Sequence, residues 1–398
     1  MFSLRMLLKP AAGSAFRQIT RVCNDVRLCS TYRAAILTEF NKIPKIQRIN
    51  VYQDLAPGQI KVGVHFCSLN YTDVRTLEGV QNVELPRVPG SEFAGEVMEV
   101  GQGSKLSFKP GDKVVALRSH LTSGGGLAEE CVLDEYDCFL LNDISLKDAA
   151  ILPYGHGTAM LAFSKYCQLK EKDTVIVIAG PGGLGLGAIE VASSVYCAKV
   201  IALCDTEDSS VLIRDEGAFQ TITMSEGYPK VYRFLKNALN GQKVKCIYDA
   251  VGGEALHLLQ DFVDPENGCL LTVYPLFDQQ KFGETVPDFG VKEKDRVERK
   301  ALENLPAISS RIKHIDLYSH RFEDRDFYRE IIEETLNLYS EELISAHVSQ
   351  VFTLKQLEAA VEFIKKKKCT GKVLIRVRRT NEDSNGDSDS ENEEQRKD

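Results

Sequence analysis

A buried strand that runs directly into a glycine-rich turn and a helix constrains this chain more than any other feature. Residues Thr174–Ala179 read TVIVIA, a continuous β-branched run typical of a strand covered on both faces in a parallel sheet. The segment Gly180-Pro181-Gly182-Gly183-Leu184-Gly185 follows it and fits the pattern G-x-G-x-x-G. Glycine lets the backbone approach a pyrophosphate, and the helix N-terminus supplies N–H donors to the anion. The segment therefore predicts a dinucleotide-binding turn, with a purely structural loop as the alternative.

Strands and helices alternate after this turn. The sequence predicts the helices Leu184–Cys197 and Ser209–Glu216, and the strands Lys199–Cys204, Lys245–Asp249 and Cys269–Val273. Repeated βα units with right-handed crossovers build a doubly wound parallel sheet. The fold class is therefore α/β.

The flanking regions have a different pattern. Residues 33–140 predict an irregular β domain, because Pro-Gly pairs interrupt several short strands. Near the other end, the sequence predicts the helices Phe322–Ile344 and Thr353–Lys368 and a last strand, Lys372–Val377. Thr353 and Gln356 have the spacing of a capping box at the start of the second helix.

The end of the second strand of a dinucleotide-binding unit contacts the adenosine ribose. An acidic residue about 20 positions after the glycines bonds the ribose hydroxyls and selects NAD, whereas a basic or small residue admits the 2′-phosphate of NADP. Asp205 follows Cys204 at this place. We expect Asp205 to contact the ribose, and capping of the next helix is the alternative. Gly252 and Gly253 predict a further close approach to the cofactor, or only a turn.

The two ends of the chain have biased compositions. Residues 1–33 contain six basic residues and one acidic residue, the composition of a mitochondrial presequence, with cleavage expected near Cys29–Arg33. A flexible basic segment is the alternative. Residues 380–398 contain eight acidic and two basic residues and should form a disordered acidic tail. We therefore expect a presequence over residues 1–31 and a location in the mitochondrial matrix.

Composition excludes several classes of protein. The net charge of −8 argues against a nucleic-acid-binding protein, which needs a concentrated basic face. No uncharged stretch is long enough for an integral membrane segment. The 11 cysteines include no CxxC pair, and their odd number argues against a disulfide framework and fits a reducing compartment.

Several motifs in order resemble those of the medium-chain dehydrogenase/reductase superfamily. They are PGSEFAGEV at residues 89–97, FKPGDKV at 108–114, GGLAEE at 125–130, the glycine turn, Asp249–Gly253 and GKVL at 371–374. The resemblance covers about residues 32–378 and is nearest to the zinc-independent quinone oxidoreductase branch. It implies a GroES-like catalytic domain built from residues 32–155 and 320–379, with a Rossmann domain inserted at residues 156–319. It also implies a homodimer and places Thr158 near the cofactor.

The resemblance argues against a zinc centre. Zinc-dependent relatives carry a ligand cysteine at the position of Asn70 and a ligand histidine at the position of Ser91, and their four-cysteine lobe is missing here. A tetrahedral site needs several correctly placed ligands, so we expect no metal.

Without a metal, the expected reaction is hydride transfer from NADPH or NADH to a quinone or an α,β-unsaturated carbonyl. Asn70 would hold the carbonyl of this small-molecule substrate, and Asp73 would order the loop. Tyr71 would donate a proton, or it would be a buried tyrosine packed beneath the loop. Arg75, Val80 and Tyr274-Pro275 depart from the residues usual in quinone reductases, so they alter the substrate pocket.

Two other functions remain open at this point. One is a mitochondrial 2-enoyl thioester reductase, because that branch shares the fold and the compartment. The other is a catalytically weak NAD(P)H-binding protein that acts through partners, because the substrate pocket is altered.

Overall fold

A computed structural model describes residues 31–50, 54–80, 83–179, 182–252, 255–273 and 312–378. Its strands are β1 Thr31–Ile36, β2 Lys45–Asn50, β3 Gln59–Leu69, β4 Glu92–Val100, β5 Lys113–Leu117, β6 Glu130–Asp134, β7 Cys138–Leu140, β8 Thr174–Ile178, β9 Lys199–Cys204, β10 Gln220–Thr223, β11 Cys246–Asp249, β12 Cys269–Thr272, β13 Ile312–His314, β14 Val348–Thr353 and β15 Lys372–Arg376. Its α-helices are α1 Tyr71–Leu77, α2 Leu146–Ala149, α3 Leu152–Leu161, α4 Gly183–Glu190, α5 Glu207–Asp215, α6 Tyr228–Leu239, α7 Ala255–Leu259, α8 Leu317–Glu323, α9 Arg325–Ser340 and α10 Leu357–Lys365.

The inserted domain contains a parallel sheet of six strands in the order β10-β9-β8-β11-β12-β13. The order reverses between β8 and β11, so the carboxyl ends of these strands border the crevice where ligands bind in doubly wound sheets. Apolar residues on both faces of the sheet are buried in two clusters, which matches the β-branched composition of β8 and β9. The structure confirms the predicted α/β class with a Rossmann-type sheet.

The second sheet belongs to the GroES-like domain and joins the two flanking regions. Six of its seven strands follow the order β14-β15-β3-β4-β5-β7, and β6 pairs with β3. Strands β14 and β15 come from the last part of the chain, and β15 pairs with β3 from the first part, so the two flanking regions form one sheet. The predicted changes of domain at residues 155 and 320 fall inside α3 and α8, two helices that contact each other.

The structure differs from the sequence prediction in several elements. The helix predicted over Phe322–Ile344 is interrupted at Asp324, which lies outside helical geometry and accepts a hydrogen bond from Phe327 N at 3.3 Å, so α8 ends at Glu323 and α9 runs from Arg325 to Ser340. Strand β10 and helix α6 had not been predicted. The capping box at Thr353 and Gln356 is present, although the helix there begins as a short 3-10 turn.

The start of the described chain is tied to the catalytic domain. Strand β1 pairs with β2, and the Arg33 guanidinium lies 2.7 Å from a carboxylate oxygen of Glu129. Strand β1 thus begins inside the interval Cys29–Arg33 in which the sequence analysis places cleavage. Residues 1–30 and the acidic tail lie outside the described residues. In the described part, no helix is long and apolar enough to cross a membrane.

Candidate functional site

The glycine turn lies at the carboxyl end of β8, at the point predicted for a pyrophosphate. Gly182 caps helix α4, and a Cβ atom built on it would meet nothing within 4 Å. Its φ of −90° is open to any residue, so local backbone geometry alone does not require glycine. Open space before a helix N-terminus fits the approach of an anionic group. Gly180 and Pro181 lie outside the described residues.

Gly183 and Gly187 allow helix α4 to pack closely against neighbouring parts of the protein. A Cβ atom on Gly183 would lie 2.6 Å from Cδ of Lys372, and one on Gly187 would lie 2.9 Å from the carbonyl carbon of Gly155. Helix α4 therefore packs closely against both α3 and the long side chain of Lys372. Of the other predicted turn residues, Gly185 is buried in α4 and Leu184 packs at the edge of the core.

Lys372 connects the glycine turn to a buried polar group on the GroES-like domain. Its Nζ atom lies 2.8 Å from Oε2 of Glu92 and also donates a hydrogen bond to Oδ1 of Asn70. Asn70 Nδ2 donates to the same Glu92 oxygen at 3.0 Å. The other Glu92 oxygen accepts from the backbone N–H of Tyr154 at 2.8 Å. Asn70, Glu92 and Lys372 are all buried, so their mutual contacts compensate for the lost hydration of two charges.

Asn70 is held in place by its own backbone as well. It immediately precedes helix α1, and its N–H donates to Oδ2 of Asp73 at 2.9 Å. Burial raises the pKa of Asp73 to about 6, although the hydrogen bond from the Asn70 backbone acts in the opposite direction. Asp73 thus orders the loop, as the sequence analysis expects.

Tyr71 begins helix α1 and is 38% exposed. The alternative of a buried tyrosine packed beneath the loop is therefore wrong. An exposed phenol beside Asn70 is open to a molecule that enters from solvent.

The carboxyl end of β9 carries Asp205, which lies where the sequence predicts the ribose-binding acid. Its Oδ2 atom lies 3.4 Å from Nζ of Lys367, a residue that follows α10 in the other domain. The structure therefore places a carboxylate and an ammonium together at this end of the sheet. The capping of helix α5 falls to Thr206, whose hydroxyl accepts from Ser209 N at 3.2 Å. Asp205 is therefore not the capping residue of α5, which was the alternative to its contact with the ribose.

Two other predicted cofactor residues have clear structural roles. Gly252 has a φ of +83°, and its N–H donates to Oδ1 of Asp249 at 2.9 Å, so glycine is required by the turn itself. Thr158 is buried in α3, and its hydroxyl donates to the backbone oxygen of Tyr154. Gly253 lies outside the described residues.

Sequence reasoning missed three residues of this site. Glu92 and Lys372 occur in the quoted motifs, and the signal in each case was a charged residue directly before a run of apolar or small residues. Tyr318, on helix α8, stacks on Tyr154 with ring centroids 5.3 Å apart. Burial raises the pKa of Tyr318 well above its usual range, so its hydroxyl keeps its proton. Nothing local in the sequence distinguishes Tyr318 from an ordinary core tyrosine.

Comparison with known proteins agrees with this architecture. A family model described as alcohol dehydrogenase GroES-like domain matches residues 56–179, and one described as zinc-binding dehydrogenase matches residues 218–375. The GroES-like sheet, the parallel sheet and the glycine turn are together typical of two-domain dinucleotide-dependent dehydrogenases. The chain belongs to the medium-chain dehydrogenase/reductase superfamily.

Within this superfamily, the chain is similar to quinone oxidoreductase-like proteins. It is 28% identical over 383 residues to quinone oxidoreductase-like protein 2 of Mus musculus, a match that covers 92% of this chain and 100% of the relative. The quinone oxidoreductase of Coxiella burnetii has a similar structure, with a TM-score of 0.70 and 23% identity over 88% of this chain and 100% of that one.

A mycobacterial protein in complex with NADPH gives a TM-score of 0.72 at 22% identity, and the match covers 87% of this chain and 100% of that one. At these identities the two solved structures establish the shared fold. The chain is therefore an oxidoreductase-family protein with a dinucleotide-binding fold.

Proposed function

We propose that the chain binds NADPH or NADH at the glycine turn and transfers a hydride to a quinone or an α,β-unsaturated carbonyl. The observation that carries the proposal is the contact of Lys372 with Gly183 on one side and with Asn70 and Glu92 on the other. This contact joins the phosphate-binding turn to the polar group of the other domain. A nicotinamide ring held between the domains would therefore meet Asn70.

The residues present fit a dinucleotide. Gly182 leaves open space before the N-terminus of α4, and Asp205 lies at the carboxyl end of the next strand. The bound cofactor would supply the hydride, and the protein would supply orientation and hydrogen bonding. The Asp205 carboxylate favours the free ribose of NADH, whereas the Lys367 ammonium favours the 2′-phosphate of NADPH.

The substrate would bind on the side of Asn70 and Tyr71. The Lys372 ammonium bonds to the amide oxygen of Asn70, and one N–H of the Asn70 amide donates to Glu92, so the second N–H would be the donor to a carbonyl oxygen. Tyr71 is accessible from solvent and could protonate the oxygen as negative charge develops there.

We also propose that the reaction is independent of zinc, because the residues present do not fit the ion. Asn70 and Ser91 occupy the positions of two ligands in zinc-dependent relatives. The ammonium of Lys372 already lies against the Asn70 oxygen, and a buried cation would be repelled there. A tetrahedral site would need further Cys, His or carboxylate ligands.

The experiment that tests the proposed function combines the purified full chain with NADPH or NADH and an acceptor. The acceptors are a benzoquinone, a simple enone and a 2-enoyl thioester, and oxidation of the cofactor is followed by absorbance. We expect turnover with the quinone or the enone. Turnover confined to the thioester would instead support the 2-enoyl thioester reductase, and tight cofactor binding without any turnover would contradict hydride transfer.

Two further proposals concern the setting of the protein. We propose that residues 1–31 direct it to the mitochondrial matrix, which N-terminal sequencing of protein isolated from mitochondria would test. We propose a homodimer formed through an edge of the parallel sheet, which light scattering of the purified chain would test. A mature chain that still begins at Met1, or a monomer at micromolar concentration, would contradict the respective proposal.

A further inference from the structure

Three buried cysteines meet at the end of the parallel sheet opposite to the glycine turn. Cys246 begins β11 and Cys269 begins β12, and the two residues are direct partners in the parallel register. The third, Cys167, ends the π-helical turn Ala162–Cys167 that continues helix α3. The three Sγ atoms all lie within 4.8 Å of one another.

Several independent features of the fold produce this arrangement. Register pairing sets the side chains of Cys246 and Cys269 on the same face of neighbouring strands. A π-helical turn then carries Cys167 over that face, and Gln168 ends the turn in a left-handed conformation. Turns of this kind are uncommon and occur frequently at functional sites. The thiols thus converge from one helix and two strands.

From this geometry we propose that Cys167, Cys246 and Cys269 bind one Cu(I) ion through three thiolate ligands. A metal at about 2.3 Å from each of three sulfurs in one plane places these sulfurs about 4 Å apart. This separation is compatible with Sγ atoms that all lie within 4.8 Å of one another. Soft thiolate ligands select Cu(I), and among the described residues the cluster offers three ligand atoms, whereas structural zinc takes four.

The charges around the cluster fit this ion. Three thiolates and one Cu(I) carry a net charge of −2, which a buried site must offset. The Lys245 ammonium donates to the carbonyl of Asn267 at 2.9 Å, and the Lys313 ammonium donates to that of Tyr166 at 3.4 Å. Both carbonyls belong to residues within two positions of a cluster cysteine. Two positive charges therefore lie at the rim of the site.

Two of the three thiols lie at the margin of the buried core. Cys246 is fully buried, while Cys167 is 3% and Cys269 is 6% exposed. A small ion could enter at this edge, and the three thiols would release their protons to water as the ion binds. Because the site lies at the starts of the strands, it does not overlap with the proposed cofactor site at their carboxyl ends.

Anaerobic titration of the reduced full chain with Cu(I) against a competing chelator tests this proposal. We expect one Cu(I) per chain, and X-ray absorption should give three sulfur neighbours at about 2.3 Å. Cys246→Ser should lower the affinity at least about 100-fold, since it removes a direct ligand. Cys197→Ser is the matched control, because Cys197 is an exposed free cysteine, and this variant should bind Cu(I) like the original chain.

Three results would overturn the proposal. They are the absence of Cu(I) binding by the reduced chain, equal affinity in Cys246→Ser, and uptake of zinc in preference to Cu(I) with a fourth ligand. X-ray absorption on the unsubstituted chain keeps the test decisive if Cys246→Ser does not fold.

Discussion

Lys372 Nζ lies 2.8 Å from Oε2 of Glu92, and the two side chains are only 6% and 0% exposed. The pair joins the first residue of β15 to the first residue of β4. Asn70 accepts a hydrogen bond from Lys372 and donates one to Glu92. Because both charges have lost their water, each depends on the other. This pair sets the position of Asn70 and the packing of the glycine turn.

Substitution of Lys372 by methionine should be strongly destabilising. It leaves the Glu92 carboxylate buried and unpaired, which costs about 3–5 kcal/mol of the free energy of unfolding. Lys366→Met is the control, because Lys366 pairs with Glu362 at 3.3 Å on the exposed surface, where the loss should stay below about 0.5 kcal/mol. Chemical denaturation measures both variants. Equal losses would show that the buried pair has no special role.

Alanine at Gly182 and at Gly183 should have different effects. Gly182→Ala should leave the thermal unfolding midpoint unchanged, since the new Cβ meets nothing within 4 Å, but it should weaken NADPH and NADH binding at least about tenfold by crowding the pyrophosphate. Gly183→Ala should lower the midpoint, because its Cβ would lie 2.6 Å from Lys372. Titration calorimetry and thermal unfolding separate the two effects. Normal cofactor binding by Gly182→Ala would refute the assigned phosphate turn.

Asp205 and Lys367 should set the choice between the two cofactors. Lys367→Ala removes a positive charge 3.4 Å from Asp205 and should weaken NADPH binding about tenfold more than NADH binding. Asp205→Asn should shift the ratio of the two affinities towards NADPH. Lys366→Ala, one residue away and paired with Glu362, should leave the ratio unchanged. If no variant changes the ratio, the ribose is bound elsewhere.

The raised pKa of Asp73 predicts a specific pH dependence of stability. The folded protein holds this proton with a pKa of about 6, against 3.8 for the free side chain, so folding becomes more favourable as the pH falls through this interval. The contribution at pH 4 relative to pH 7 is about 2 kcal/mol, because at pH 4 the side chain of the unfolded protein is itself partly protonated. Asp73→Asn keeps an acceptor oxygen for the Asn70 N–H but cannot titrate. Its free energy of unfolding relative to the original chain should therefore fall as the pH is lowered, and parallel curves would contradict the assignment.

The elements that could be predicted have signals that are local in the sequence. The β-branched run before Gly180, the strand that ends at Cys204 and the capping box at Thr353 each depend on a few neighbouring residues. Strand β10 was missed because QTIT at residues 220–223 is a short edge strand with Ile222 as its one apolar residue. Asp324 was not recognised as a break, since the apolar pattern continues on both sides of it.

Long-range pairs could not be predicted. Lys372 and Glu92 are 280 residues apart, and only the pairing of β15 beside β3 and β4 brings them together. The same holds for Cys167, Cys246 and Cys269, whose spacing in the sequence has no recognisable metal-binding pattern. Whether Tyr71 is buried or exposed could not be decided from the sequence for a related reason. The exposure of a residue at the start of a helix depends on which distant segments pack over it.

Isotope transfer tests the central claim most directly. The full chain is given NADPH or NADH deuterated at the transferable position of the nicotinamide, together with an enone or a quinone, and the product is examined by mass spectrometry and NMR. The account predicts that the enone product carries one deuterium on carbon and that Gly182→Ala forms it far more slowly. Reduced enone without deuterium, or no oxidation of bound cofactor by either acceptor, would contradict hydride transfer at this site.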